Sequence, residues 1–177
     1  MSASLIPDAS RTFLAGVWRG EGDGTYPTIS PFHYGEELSF THANPAKVRP
    51  HPAKCTVLDA DPMPRNTQPV IAYAHKTWRA ADKTPMHAEA GYLRPKADGV
   101  DLVVAQATGI AEASRGAWNA DSRTLQLRSF SVANAEKVLE IERAYTLTAE
   151  DTLTYVISMR THTQPLQEHL RATLRRV

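Results

Sequence analysis

Cys55 is the only cysteine in this sequence. An intrachain disulfide and any Cys-based zinc or iron–sulfur site are thereby excluded, and a reducing compartment, the cytoplasm, is the expected setting. An excess of charge of one sign is also missing. The 20 Lys and Arg residues stand against 19 Asp and Glu, which leaves no basic stripe for nucleic acid or an anionic membrane. No apolar run approaches the roughly 18–20 residues of a membrane helix. Met1 to Gly16 lacks the basic start and long apolar run of a signal peptide. The histidines show neither HxxxH nor HxH spacing, so His33, His42, His51, His75 and His162 do not read as a zinc set.

What the chain does contain is period-two alternation. Candidate strands are Gly16–Glu21, His33–Thr41, Ile71–Arg79, Met86–Arg94, Val100–Thr108, Ile110–Asn119, Thr124–Ser131, Val138–Thr148 and Thr152–Arg160, with a last one near His169–Arg176. Turn signals such as Ala97-Asp98-Gly99 and Ala149-Glu150-Asp151 separate them. Before them, Asp8 and Ser10 are caps for a short helical turn within Leu5–Gly16. This pattern predicts one all-β domain over residues 1–177, a closed antiparallel barrel of about ten strands, in preference to a sandwich. Hairpin-length connections dominate after Ile71, and closure removes exposed edges around a lumen wide enough for one small ligand. The exception is Ala43–Pro69, with Pro45, Pro50, Pro52, Pro62, Pro64 and Pro69. Proline cannot donate to a ladder, so this segment reads as a long surface connection, with Lys54–Leu58 as a short strand inside it. Its length raises the question of whether it covers a barrel mouth.

Three motifs carry potential chemistry. Gly16-Val17-Trp18-Arg19-Gly20-Glu21-Gly22-Asp23-Gly24 places alternate glycines on one strand face. Either a ligand approaches that bare face, or Trp18 plugs the barrel and the glycines allow sharp coiling; the sequence leaves both open. His87 and Glu89 share a strand face. They read as a polar pair in a half-wet lumen in preference to a base or metal site. His169 follows a turn at Pro165, where a lone histidine is ordinarily a surface residue. As a strand residue it would share a face with Arg171, Thr173 and Arg175, not with a lumen. The expectation is therefore that His169 sits just before the regular strand begins.

Taken in order, the segments GVWRGEGDGTYPTI, FHYGEELSFTH, PMHAEAGYLRP, AQATGIAE, SRTLQLRSFSVANAEKV and HLRATL resemble the nitrobindin family of haem-binding β-barrels over nearly the whole chain. The resemblance implies a ten-stranded barrel of lipocalin and fatty-acid-binding-protein shape, with haem b in one end. It implies His169 as the one protein ligand to iron and Thr28 and Ile29 as distal neighbours. It also implies Met159 and His87 as interior positions and Lys137 as a basic residue near a propionate. The activities implied are nitric oxide binding and isomerisation of peroxynitrite to nitrate by the ferric form, in a monomer or homodimer.

One imidazole on haem iron leaves the sixth position open, and an open ferric centre is an electrophile for an anion such as peroxynitrite. A distal face of Thr28 and Ile29 offers few strong donors to bound dioxygen, which favours the ferric state. Two other readings remain at this level: an apolar-ligand carrier without iron, and a haem sensor without turnover.

Overall fold

The computed structural model describes residues 13–43, 70–96 and 98–177. Ten strands follow in order: β1 (Gly16–Tyr26), β2 (Ile29–Ala43), β3 (Val70–Arg79), β4 (Pro85–Lys96), β5 (Gly99–Gln106), β6 (Ala111–Asn119), β7 (Thr124–Ala133), β8 (Val138–Ala149), β9 (Thr152–Thr161) and β10 (Gln167–Arg176). Each pairs antiparallel with its sequence neighbour, and β10 returns to β1 through pairs from Trp18↔Arg176 to Gly24↔Leu170. The sheet is therefore a closed up-and-down barrel without a free edge.

Strict alternation decides which side chains enter the barrel. Trp18, Leu38, Phe40, Leu102, Leu125, Leu153 and Leu174 point inward and are almost wholly buried. Each large apolar side chain removed from water contributes roughly 1.5–3 kcal/mol, so this layer anchors the fold and seals one end. Trp18 also donates its indole N–H to the Leu14 carbonyl at 2.8 Å. The glycines of β1 are bare for the sake of their neighbours. A Cβ would lie 2.1 Å from the Thr173 carbonyl at Gly20, 2.6 Å from the Tyr34 hydroxyl at Gly22, and 2.1 Å from the Phe32 ring at Gly24. Of the two readings of the glycine string, the plug of Trp18 with close-packed neighbouring strands is the one observed.

The predicted N-terminal helical turn lies mostly outside the described residues. Phe13 and Leu14 form a turn, and no helix occurs among the described residues. The Leu14 carbonyl is taken by Trp18, and Gly16, at φ 138°, swings the chain straight into β1. Residues 44–69, including the expected Lys54–Leu58 strand, also lie outside the described residues. Their anchors do not: Ala43 pairs with Val70, beside the start of β1 at Gly16↔Phe40. That is the Trp18 end. The turns β1–β2, β3–β4, β5–β6, β7–β8 and β9–β10 ring the opposite end. No helix among the described residues is long and apolar enough to cross a membrane.

Candidate functional site

Opposite the Trp18 plug, the inward side chains stop short of filling the lumen. They leave a cavity of about 280 Å³. Phe32, Met86, Ile110, Val138, Ile141, Ile157, Met159 and Leu170 give it apolar walls, while His87 and His169 stand among them and His75, Glu89 and Arg143 form a polar floor. The wall has a slit. The β7–β8 ladder ends at Arg128↔Glu142, so both strands splay toward the cavity end. There the Ile141 N–H donates to Ser129 Oγ at 2.9 Å and Arg128 pairs with Glu140.

His169 reaches this cavity by a device that face counting misses. It lies inside β10, not before it, correcting the expectation above. In the pairing of β10 with β9, Glu168 faces Ser158 and Leu170 faces Ile157, so His169 is the extra residue of a β-bulge. A bulge resets the alternation and re-aims one side chain. His169 therefore enters the cavity together with Leu170, while Ala172 and Leu174 continue inward below. The neighbouring strand carries a matching irregularity between Gly24 and Tyr26. Between them, the Thr25 carbonyl lies 3.1 Å from His169 Nδ1. A carbonyl only accepts, so Nδ1 bears the proton, and Nε2 is left as the ring's lone-pair nitrogen. Tyr26 and Phe32 hold the ring edge-on, with centroids at 5.5 and 6.4 Å. Burial lowers the pKa of His169; the Thr25 bond opposes this shift and the neighbouring His87 adds to it.

The other expected residues separate into two groups. Met159 and His87 line the cavity with His169. Thr28 and Ile29 sit in and after the β1–β2 turn and are exposed, on the rim at the same end. Lys137 is exposed in the β7–β8 turn beside the slit, its carbonyl accepting from the His162 N–H at 3.2 Å. His87 and Glu89 form the polar pair expected of them, His87 Nε2 to Glu89 Oε2 at 3.5 Å.

Glu89, however, belongs to a larger network that sequence reasoning missed. Arg143 donates to Glu89 at 2.6 and 3.0 Å, to Glu112 at 2.6 to 3.2 Å, and to the Tyr73 hydroxyl at 3.1 Å. Tyr73 also donates to Glu89, and Ser114 donates to Glu112 at 2.6 Å. His75 lies between Glu36, in direct contact through Nε2, and Glu89, 3.5 Å from Nδ1. Tyr155 donates to Glu36 at 2.8 Å and meets the Tyr34 hydroxyl at 2.8 Å. The signal was parity: Glu36, Glu112 and Arg143 occupy inward positions that alternation otherwise gives to apolar residues.

These contacts shift ionisation. Burial works against a charge on Glu89, but Arg143 holds it well below the usual carboxylate range, aided by His75 and His87. Burial likewise opposes a charged His75, yet its bonds to Glu36 and Glu89 raise it to about 9. A folded-state pKa raised from 6.5 stabilises the fold below that value, and the contribution fades as pH climbs through about 9. Denaturant unfolding of the cofactor-free protein should lose a few kcal/mol of stability over this window. His75→Gln should flatten that slope; an unchanged slope would locate the titration elsewhere.

A closed barrel whose end cavity combines apolar walls, a polar floor and one imidazole tethered to backbone defines the class of a small-ligand-binding barrel. The chain belongs to the THAP4-like, heme-binding β-barrel domain family, whose profile matches residues 9–176, in agreement with the nitrobindin motifs. It is 42% identical over 167 residues to a peroxynitrite isomerase from Arabidopsis thaliana, covering 94% of this chain and 86% of the relative. It is 36% identical to peroxynitrite isomerase 2 from Mycobacterium ulcerans, over 99% of both chains. The crystal structure of Rv2717c from M. tuberculosis superposes with a TM-score of 0.75 at 33% identity, covering 98% of this chain and 99% of that one.

Haem is the family's cofactor, and the cavity fits it. The walls are apolar, and the one tethered imidazole has its Nδ1–H fixed by a backbone carbonyl, the second tie that metal-bound histidines ordinarily make. The floor carboxylates are engaged by Arg143, Tyr73, Ser114, His75 and Tyr155, with Glu36 Oε1 left without a partner among the described residues; no cluster of three or more His, Cys, Asp or Glu able to hold a metal ion occurs among the described residues.

Proposed function

We propose that this chain, acting as one domain in the cytoplasm as a monomer or homodimer, binds haem b through His169 Nε2, binds nitric oxide, and isomerises peroxynitrite to nitrate. The observation that carries this reading is the bulge at His169 with the Nδ1–H···O=C Thr25 bond. It presents a neutral, oriented imidazole to a cavity that supplies no second ligand of comparable placement. At about 280 Å³ the cavity lies just below the ~300–1,000 Å³ common for ligand sites. Lys137, beside the β7–β8 slit, and Thr28 and Ile29, on the rim, are the residues that would neighbour haem at the open end of this cavity.

When bound, ferric haem supplies an open electrophilic position for the peroxynitrite anion. The protein's share is to hold the iron by one side chain, to exclude water with Phe32, Met86 and Met159, and to confine the reacting fragments. No side chain needs to move a proton. Ferric holo-protein should accelerate peroxynitrite decay, shift the product toward nitrate and protect free tyrosine from nitration. Cyanide, which occupies the sixth position, should abolish these effects. Cofactor-free protein supplies the control for scavenging by Cys55 and the methionines. Equal decay rates with and without haem would reduce the function to haem and nitric oxide binding.

A further inference from the structure

The floor of the cavity carries a charge that haem ligation does not use. Glu89 accepts from the Arg143 guanidinium and the Tyr73 hydroxyl, with ring nitrogens of His75 and His87 at 3.5 Å. Glu112 is met by Arg143 and by Ser114. Donors on every side favour the ionised form of both carboxylates, and Arg143 neutralises only one of them. His75 and Glu36 sum to zero wherever the proton between them sits. His87, at 3.5 Å and partly solvated, is too distant to count as a full partner for Glu89.

The cluster is thus one negative charge in excess, and Glu36 Oε1 adds a buried acceptor with no partner among the described residues. An uncompensated charge in a barrel interior is costly unless something of opposite sign lies against it. His75, Glu89 and Arg143 face the cavity directly. A neutral apolar ligand there would not supply the missing charge. The core of ferric haem, iron(III) on a porphyrin dianion, carries one positive charge, and the ferrous core carries none.

We propose that the Glu89–Arg143–Glu112 floor selects ferric over ferrous haem, with Glu112 and Glu89 as positioning residues that act through charge alone. This rests on the haem reading above. Ionic selection of this kind keeps the cofactor in the state that accepts an anion.

The test is spectroelectrochemical titration of haem-loaded protein. Glu112→Gln keeps the shape and an acceptor for Arg143 while removing the charge. It should lower the ferric-to-ferrous ratio at fixed potential about tenfold, equivalent to about 59 mV for one electron. Glu89→Gln should act in the same direction. Glu142→Gln, which removes the same charge from the outer face beside Arg128, should leave the midpoint in place. If folding fails in either floor variant, wild-type apo-protein offers an independent comparison. It should bind gallium(III) protoporphyrin, whose core is cationic, at least tenfold more tightly than zinc(II) protoporphyrin, whose core is neutral. Floor variants that shift the midpoint no more than Glu142→Gln, or equal affinity for the two porphyrins, would overturn the proposal. Failure to bind any metalloporphyrin would instead overturn the haem reading itself.

Discussion

His169→Ala is expected to abolish stable haem binding while leaving the barrel folded. The only hydrogen bond described for the His169 side chain is to the Thr25 carbonyl, at the half-exposed cavity end. Its loss therefore costs little stability compared with the buried layer around Trp18. It removes the one imidazole whose Nδ1–H is tied to backbone and whose Nε2 is left for iron. His87→Ala should retain haem, because His87 stands in the polar wall, turned toward Glu89 at 3.5 Å, and is not the imidazole tied to backbone. Hemin titrations followed at the Soret band, with circular dichroism as the folding control, separate the two. Retention by His169→Ala together with loss by His87→Ala would reverse the assignment.

Arg143→Met should be the most damaging single change to stability. It leaves Glu89 and Glu112, both buried, facing each other without the guanidinium that bridges them. Breaking a buried ion pair from one side costs about 3–5 kcal/mol, a large part of the ~5–15 kcal/mol that holds a domain folded. The sign of the pH response identifies the cause. Unpaired buried carboxylates have raised pKa values, so the folded variant binds protons that the unfolded chain does not, and its stability should rise as pH falls. Arg143→Met combined with Glu89→Gln and Glu112→Gln should recover much of the loss at neutral pH. Denaturant unfolding of these variants measures each effect. A loss that is independent of pH and not recovered in the triple variant would point to packing instead.

The strands were legible because each keeps one face inward, and the alternation of a segment such as Val138–Thr148 leaves little choice. Their ends were less so. Strand β1 was expected to stop at Glu21 but continues to Tyr26, since Gly22 and Gly24 belong to the ladder and merely yield space to Tyr34 and Phe32. Strand β2 starts at Ile29, ahead of the expected His33, for the same reason of continued pairing.

The site was legible in part. The family motif pointed to His169, but its face contradicted the lumen, because a bulge is a property of two paired strands and leaves no mark in one of them. The floor network was hidden differently. Glu36, Glu112 and Arg143 look like ordinary surface residues until the inward face of each strand is fixed by its partners. Only then do these two carboxylates and the arginine join Glu89 on one level of the lumen. Thr28, Ile29 and Lys137 lie on or beside turns at the rim, where sequence similarity carries position but not contact.

The central claim is that His169 Nε2 is the bond that holds iron in this cavity. The direct measurement is hemin binding to His169→Gly with and without free imidazole. Without imidazole the variant should bind weakly and lack the five-coordinate histidine-type Soret spectrum. Millimolar imidazole, entering the space left between Tyr26 and Phe32, should restore both affinity and spectrum. Wild-type-like haem binding by the variant before imidazole is added would contradict the claim, because iron would then be held by another group.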